Sequence, residues 1–175
     1  MDSGAAPYFS GYLPMKFEHL VAVNDPMNPL SDTVTREQLW RGLVLRAEQP
    51  TAFIAHLDKC EILEREAGSL KRRLTFGELV IEDSVALTPL QEVRYDVPAQ
   101  GEIAASSLRM IIEAPTSAML LVRFCYDDGQ GEHVDQANAM YDEFKKSAYQ
   151  EADTDTVRTL RQMASQGKLD ASLLN

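Results

Sequence analysis

Between residues 58 and 126 the chain reads as six short strand-like runs: "KCEILERE", "SLKRRLTF", "ELVIEDSVAL", "QEVRYDV", "SSLRMIIEA" and "AMLLVRFCY". Only "AG", Gly77, "TPL", a "PAQG" stretch and "PTS" mark the breaks between them. Connections this short do not allow the crossover of a dozen or more residues that joins parallel strands. The runs therefore predict an antiparallel meander. An earlier run, "MKFEHLVAVN", alternates Phe17, His19, Val21 and Val23 against Glu18, Leu20 and Ala22. That period of two adds a seventh strand.

The remaining elements must cover one face of this sheet. A Thr35-x-x-Gln38 capping box opens "TREQLWRGLVLRAEQP", and Leu39, Trp40, Leu43 and Ala47 share one side of the helix it starts. Pro50 ends that helix and begins a short second one, "TAFIAHLD". After the acidic, glycine-bearing "DDGQGE", helical spacing runs from near His133 to about Gly167. A helix of that span is roughly 50 Å long at 1.5 Å per residue. One long helix and two short ones fill poorly the concavity of a seven-stranded sheet. The expected fold is α+β, a sheet gripping a long C-terminal helix with a pocket between them. No internal repeat or long linker divides the chain. Residues 1–14 read as an extension, 15–168 as a single domain and 169–175 as a tail.

Three stretches carry a family resemblance: "FEHLVAVNDPMNPL", "VTREQLWRGLVLRAEQP" and "YQEADTDTVRTLRQM". Over about residues 15–168 the chain resembles the AtaL-like family of the START/Bet v 1-like (SRPBCC, helix-grip) superfamily of small ligand-binding and cyclase-like proteins. The resemblance implies a helix-grip fold and a cavity for a hydrophobic ligand. It implies little chemistry.

Charge narrows the partners. With 17 Lys and Arg against 27 Asp and Glu, the net charge of −10 repels phosphate backbones and anionic lipid, so neither nucleic acid nor a membrane surface is expected. No apolar run approaches the roughly 20 residues of a spanning helix. The N-terminal "MDSGAAPYFSGYLP" has neither the basic start nor the apolar stretch of a secretory signal. Cys60 and Cys125 are far apart in sequence and fit reduced thiols better than a bridge. Together these features predict a cytoplasmic protein. His19, His56 and His133 are scattered without metal-ligand spacing, and no nucleophile elbow, phosphate loop or dinucleotide fingerprint occurs. No metal or cofactor is expected.

Polar residues on apolar faces point to the site. A two-residue turn at Gly77-Glu78 pairs Phe76 with Leu79, Leu74 with Ile81 and Arg72 with Asp83, all on one face that Leu70 and Val85 extend. A three-residue "TPL" loop then sets Val93 opposite Val85 and Tyr95 opposite Asp83. Arg72, Asp83 and Tyr95 form a polar cluster on the apolar side. On the last helix, turned at about 100° per residue, Ala137, Tyr141, Phe144 and Ala148 make a stripe that leads to Asp155. A carboxylate on an inward face must be paired, wet or protonated. Arg123, within "LLVRFCY", has the charge to meet Asp155 or Glu151 across the interior. His19, between Phe17 and Val21, reads as a satisfied core histidine.

Three functions fit these features. The first is binding of a small hydrophobic or aromatic metabolite. Trp40, Tyr141 and Phe144 would supply apolar contact, with Arg72, Asp83, Tyr95, Arg123 and Asp155 as polar anchors. The second is a cyclase, dehydratase or isomerase acting on a polyketide-like or aromatic substrate, with Asp83 or Asp155 as the catalytic carboxylate. The third is a homodimeric interaction protein with a closed core.

Overall fold

The computed structural model describes residues 14–28, 32–131 and 136–171. Seven strands, β1 (Pro14–Asn24), β2 (Lys59–Glu66), β3 (Ser69–Phe76), β4 (Leu79–Thr88), β5 (Glu92–Val97), β6 (Ser106–Glu113) and β7 (Leu120–Gly131), make one antiparallel sheet. Their order is β1-β7-β6-β5-β4-β3-β2. Two helices, α1 (Arg36–Glu48) and α2 (Gln136–Ser165), pack on its apolar face. This is the helix-grip architecture the sequence predicts.

The local chemistry of each element is visible in its hydrogen bonds. The capping box forms: Gln38 N–H donates to Thr35 Oγ1 at 3.1 Å, and Thr35 N–H donates to Gln38 Oε1 at 2.9 Å. The expected second short helix shrinks to a 3-10 turn, Pro50–Ala52. By Asp58, whose N–H already donates to the Thr75 carbonyl at 2.9 Å, the backbone is joining the sheet. Strand β7 runs on into "DDGQG", because Pro14 and Lys16 of β1 pair with Gly131 and Asp127.

Register decides which side chains face inward. At the β3–β4 turn Gly77 has φ +60°, and Arg72 lies opposite Asp83 as predicted. The next hairpin slips by two residues. Val85 lies opposite Tyr95 and Leu87 opposite Val93, and Gln91 N–H closes the loop on the Thr88 carbonyl at 3.0 Å. A slip of two keeps every side chain on its own face, so Tyr95 stays inside although its neighbour changes. Cys60 on β2 and Cys125 on β7 are free thiols on strands that do not adjoin.

The core is densest where the two helices cross. Leu39, Leu43 and Ala47 of α1 meet Val157 and Leu160 of α2 over Val93, Met110, Val122 and Phe124 of the sheet. Gly42 lies in that crossing: a β-carbon there would stand 2.1 Å from Leu160 Cδ2 and 3.2 Å from Leu169 Cδ1. Past α2 the chain reverses at Gly167, φ +73°. Lys168 N–H donates to the Met163 carbonyl at 2.9 Å and Gly167 N–H to that of Ala164 at 3.1 Å, a Schellman turn. The turn sends Leu169 back into the core, where it is fully buried.

Gly42→Val should therefore lower the unfolding free energy by roughly 1–3 kcal/mol through overpacking, read as a lower urea midpoint. An unchanged midpoint would mean that Leu160 and Leu169 can move aside and that the crossing is not close-packed.

Candidate functional site

A cavity of about 250 Å³ lies between the sheet and the helices. Its wall draws Arg72 and Leu74 from β3, Tyr95 and Val97 from β5, Leu108 from β6 and Tyr126 from β7. The end of α1 and the following turn add Arg46, Pro50 and Ile54, and α2 adds Tyr149. Apolar walls with a few polar groups are the usual composition of a small-molecule site.

At the β3–β5 side, Arg72 and Asp83 are both buried and bonded in a fork. Arg72 Nε donates to Asp83 Oδ1 at 2.8 Å and Nη2 to Oδ2 at 2.5 Å, while Nη1 donates to the Ala47 carbonyl at 2.8 Å. The pair is thus closed, tying the sheet to the end of α1. Burial alone would lower the Arg72 pKa, but the bond and charge of Asp83 more than offset it, and the net direction is upward. Beside it, Tyr95 is only 5% exposed. Guanidinium groups approach its ring from Arg72 at 5.0 Å and from Arg46 at 5.5 Å, within cation–π range. Its hydroxyl is buried and has no hydrogen-bond partner among the described residues. A buried polar group left unbonded costs about 1–3 kcal/mol.

Across the cavity, the Tyr126 hydroxyl donates to Asp153 Oδ1. The other carboxylate oxygen, Oδ2, stands 3.3 Å from His19 Nδ1. Asp153 is 1% exposed. Tyr126 stacks on Tyr149 with centroids 4.0 Å apart and planes 8° apart, and Phe17 packs against both rings and His19. Burial raises the Asp153 carboxyl above the usual carboxylate range, against the opposing bonds from Tyr126 and His19. The Tyr126 phenol is raised far above its ordinary value, by burial first and by the charge of Asp153 second.

The helix carboxylate that faces inward is therefore Asp153 and not Asp155. Two residues at about 100° each place them on nearly opposite sides of α2. Asp155 is exposed and pairs with Arg158 one turn on. Phe144 is 74% exposed, and Ala148 and Ala152 are exposed with it. The buried stripe follows Tyr149, Asp153, Thr156, Val157, Leu160 and Ala164, a phase set by the C-terminal half of the helix. Projecting back from Val157, Leu160 and Ala164 would have found Asp153.

Arg123 alternates with the buried Val122 and Phe124, so it lies on the outer face of the sheet. It bonds Glu113 and Glu18 there, at 2.8 and 3.1 Å, and does not reach Asp155 or Glu151. Trp40 is half-buried against the core and away from the cavity wall. The Tyr141 side chain lies outside the described residues. Arg72 and Tyr95 line the cavity, and Asp83 stands behind Arg72. His19, Arg46, Tyr126, Tyr149 and Asp153 join the site without having been picked out as ligand contacts. Among the described residues no group of three or more His, Cys, Asp or Glu is placed to hold a metal. No helix there is long and apolar enough to cross a membrane.

A model of the family described as "AtaL: Acetylaranotin biosynthesis cluster protein L" matches residues 21–167. Acetylaranotin biosynthesis cluster protein L of Aspergillus terreus (strain NIH 2624 / FGSC A1156) is 29% identical over 85 residues, a stretch covering 46% of this chain and 55% of that one. The alignment thus spans about half the length of that relative. Among solved structures, the Zhui aromatase/cyclase from Streptomyces sp. R1128 superposes with a TM-score of 0.58 at 16% identity, covering 90% of this chain and 97% of that one. Human STARD10 superposes with a TM-score of 0.61 at 7% identity, over 94% of this chain and 71% of that one. At these identities the structural likeness speaks for the fold.

Asp153 carries a testable pH signature. Its pKa is raised on folding, so the native state holds the proton more tightly than the unfolded chain. The stability that this proton supplies is complete below the unfolded value near 4 and is lost as pH rises through the raised native value. Asp153→Asn removes the titration and keeps an acceptor for Tyr126. The urea midpoint of the variant minus that of the wild type should therefore grow as pH rises from about 4 toward the raised native value. A constant difference would mean that the carboxyl titrates alike in both states.

Proposed function

The chain belongs to the AtaL family, and on that premise we propose that it binds a small hydrophobic or aromatic metabolite in the cavity between sheet and helices. The observation that carries this reading is Tyr95, a cavity-lining residue whose buried hydroxyl has no partner among the described residues. A closed core has no use for such a group; a bound acceptor atom would satisfy it. The volume, about 250 Å³, lies just below the ~300–1,000 Å³ of sites for drug-sized ligands, which favours a molecule of one or two rings. The Zhui protein is named an aromatase/cyclase, and an aromatic occupant here is a proposal consistent with that likeness. The two free thiols fit a cytoplasmic setting, which belongs to the same proposal.

Removing the hydroxyl separates binding from stability. Tyr95→Phe should raise the melting temperature of the ligand-free protein, because an unsatisfied polar group disappears. The same change should weaken binding of 2-naphthol about 5–10-fold in calorimetric titration, the worth of one neutral hydrogen bond. Leu108→Trp, which fills the cavity, should abolish the titration. Undiminished affinity in Leu108→Trp would show that the ligand binds elsewhere.

A second reading, a cyclase- or isomerase-like enzyme, is favoured by one observation of its own. A cavity-lining phenol, Tyr126, is bonded to a buried carboxyl whose pKa is raised toward the working range of an acid or base. With Asp153 protonated and donating to the phenol oxygen, the Tyr126 O–H would be free to donate to a carbonyl or enolate oxygen, while Asp83 is held in its ion pair and Asp155 faces solvent. If so, the protein should speed deuterium uptake from D2O at the activated carbon of 2-tetralone, and Tyr126→Phe and Asp153→Asn should each lose the acceleration. Exchange at the buffer rate with wild type leaves binding as the function.

A further inference from the structure

Arg46 is the unusual cation of this chain. Among the described residues, the guanidinium groups of Arg72, Arg109 and Arg123 each meet a carboxylate, at 2.5, 2.6 and 2.8 Å. Those of Arg36, Arg41 and Arg161 donate to backbone carbonyls. Arg46, half-buried at the end of α1, has neither kind of partner. Its Nε reaches Thr156 Oγ1 at 3.4 Å, and its plane approaches the Tyr95 ring. Asp153 is near enough for its charge to be felt, yet both of its oxygens are engaged, one by Tyr126 and one by His19. A guanidinium has five N–H donors, so most of those on Arg46 are uncommitted at the cavity wall.

The neighbouring Tyr95 has a hydroxyl donor that meets no acceptor among the described residues. Two residues with uncommitted donors of different kinds, one charged and one neutral, thus line the same cavity, whose other polar residues besides Arg72 are Ser106, Ser107, Asp127, Asp128 and the two tyrosines, Tyr126 and Tyr149. Arg72, the second cation there, already has its charge met by Asp83. The acidic side of the cavity is at β7, where Asp127 and Asp128 both line it and Asp128 pairs with Lys145. β6 separates that strand from β5, so the two sides are roughly 10 Å apart at about 4.8 Å per strand.

We propose that the cavity recognises an aryl carboxylate. One carboxylate oxygen accepts from the Tyr95 hydroxyl and the other from the Arg46 guanidinium, while the ring lies among Ile54, Leu74, Val97 and Leu108 and beside the Tyr126–Tyr149 stack. This proposal rests on the cavity-binding reading above and names the chemical class of its ligand. A carboxylate supplies what a neutral arene lacks: two acceptors and the countercharge for an unpaired, half-buried cation. Hydrogen bonds to charged groups are worth about 1.5–3 kcal/mol net.

The test titrates the full chain calorimetrically with 2-naphthoate and with 2-naphthamide, which share size and ring but differ in charge. Wild type should bind the carboxylate roughly 10–100-fold more tightly than the amide. Arg46→Met, which keeps an apolar stem, should bring the carboxylate down to near the level of the amide and weaken the amide far less. Arg46→Lys should recover part of the preference. Equal affinities in the wild type, or tighter binding of the amide, would overturn the carboxylate assignment while leaving a binding cavity in place. Binding of neither probe would overturn both. The wild-type comparison decides the matter even if a substitution at Arg46 impairs folding.

Discussion

The close crossing of α1 and α2 at Gly42 decides how the rest of the molecule is filled. With no side chain at that position, Leu160 and Leu169 enter the space a β-carbon would occupy, and the C-terminal half of α2 is drawn down onto α1 and the sheet. A straight helix of 30 residues is about 45 Å long and cannot follow a curved sheet along its whole length. Its C-terminal half packs into the core beside α1, and nearer its start Lys145 pairs with Asp128 of β7. Between these two attachments Tyr149 meets Tyr126 ring to ring at the cavity.

That division explains which parts of the molecule were legible in the sequence. Strand runs and turn residues are local signals, and Gly77 with its two-residue turn placed Arg72 opposite Asp83 without further information. The Thr35–Gln38 box did the same for α1. The β4–β5 loop slipped by two, since Thr88, Pro89, Leu90 and Gln91 contain no residue that forces one turn over another. Leu90 takes φ +61° there, a conformation unusual for leucine that composition would not suggest. On α2 the error was one of phase. Its N-terminal half carries Tyr141 and Phe144, the larger side chains, yet Phe144 is exposed, and the buried hydrophobic residues of α2 among the described ones are Val157 and Leu160 in its C-terminal half. Side-chain size proved a poorer guide to the buried stripe than spacing around Val157 and Leu160.

The buried polar groups fall into two kinds with different physical meanings. Arg72 and Asp83 satisfy each other and the Ala47 carbonyl, so their effect is structural: they join β3, β4 and the end of α1. Breaking such a pair by removing one partner leaves an uncompensated charge inside the protein. Tyr95 and Arg46 are open: the Tyr95 hydroxyl meets no acceptor among the described residues, and Arg46 gives only its Nε–H, to Thr156. Both kinds looked alike in the sequence, as polar letters in apolar runs. Pairing is a property of three-dimensional neighbours, which is why Arg123 read as an inward candidate although its partners Glu18 and Glu113 come from adjoining strands on the outer face.

An acidic exterior around a cationic cavity wall sets two fields against each other. The net charge of −10 repels an approaching carboxylate, but ions in solution screen that field within about 8 Å at physiological strength. Inside the cavity, where apolar walls exclude most water, the attraction of a guanidinium is screened far less. The outer field therefore acts on the rate of encounter and the inner contact on the lifetime of the complex. Selectivity follows from the same contrast. A ligand that brings a carboxylate without an aromatic body loses the apolar wall, and one that brings the body without the carboxylate leaves the Arg46 charge and the Tyr95 hydroxyl without an acceptor from the ligand. A molecule with both features therefore gains from both contacts at once.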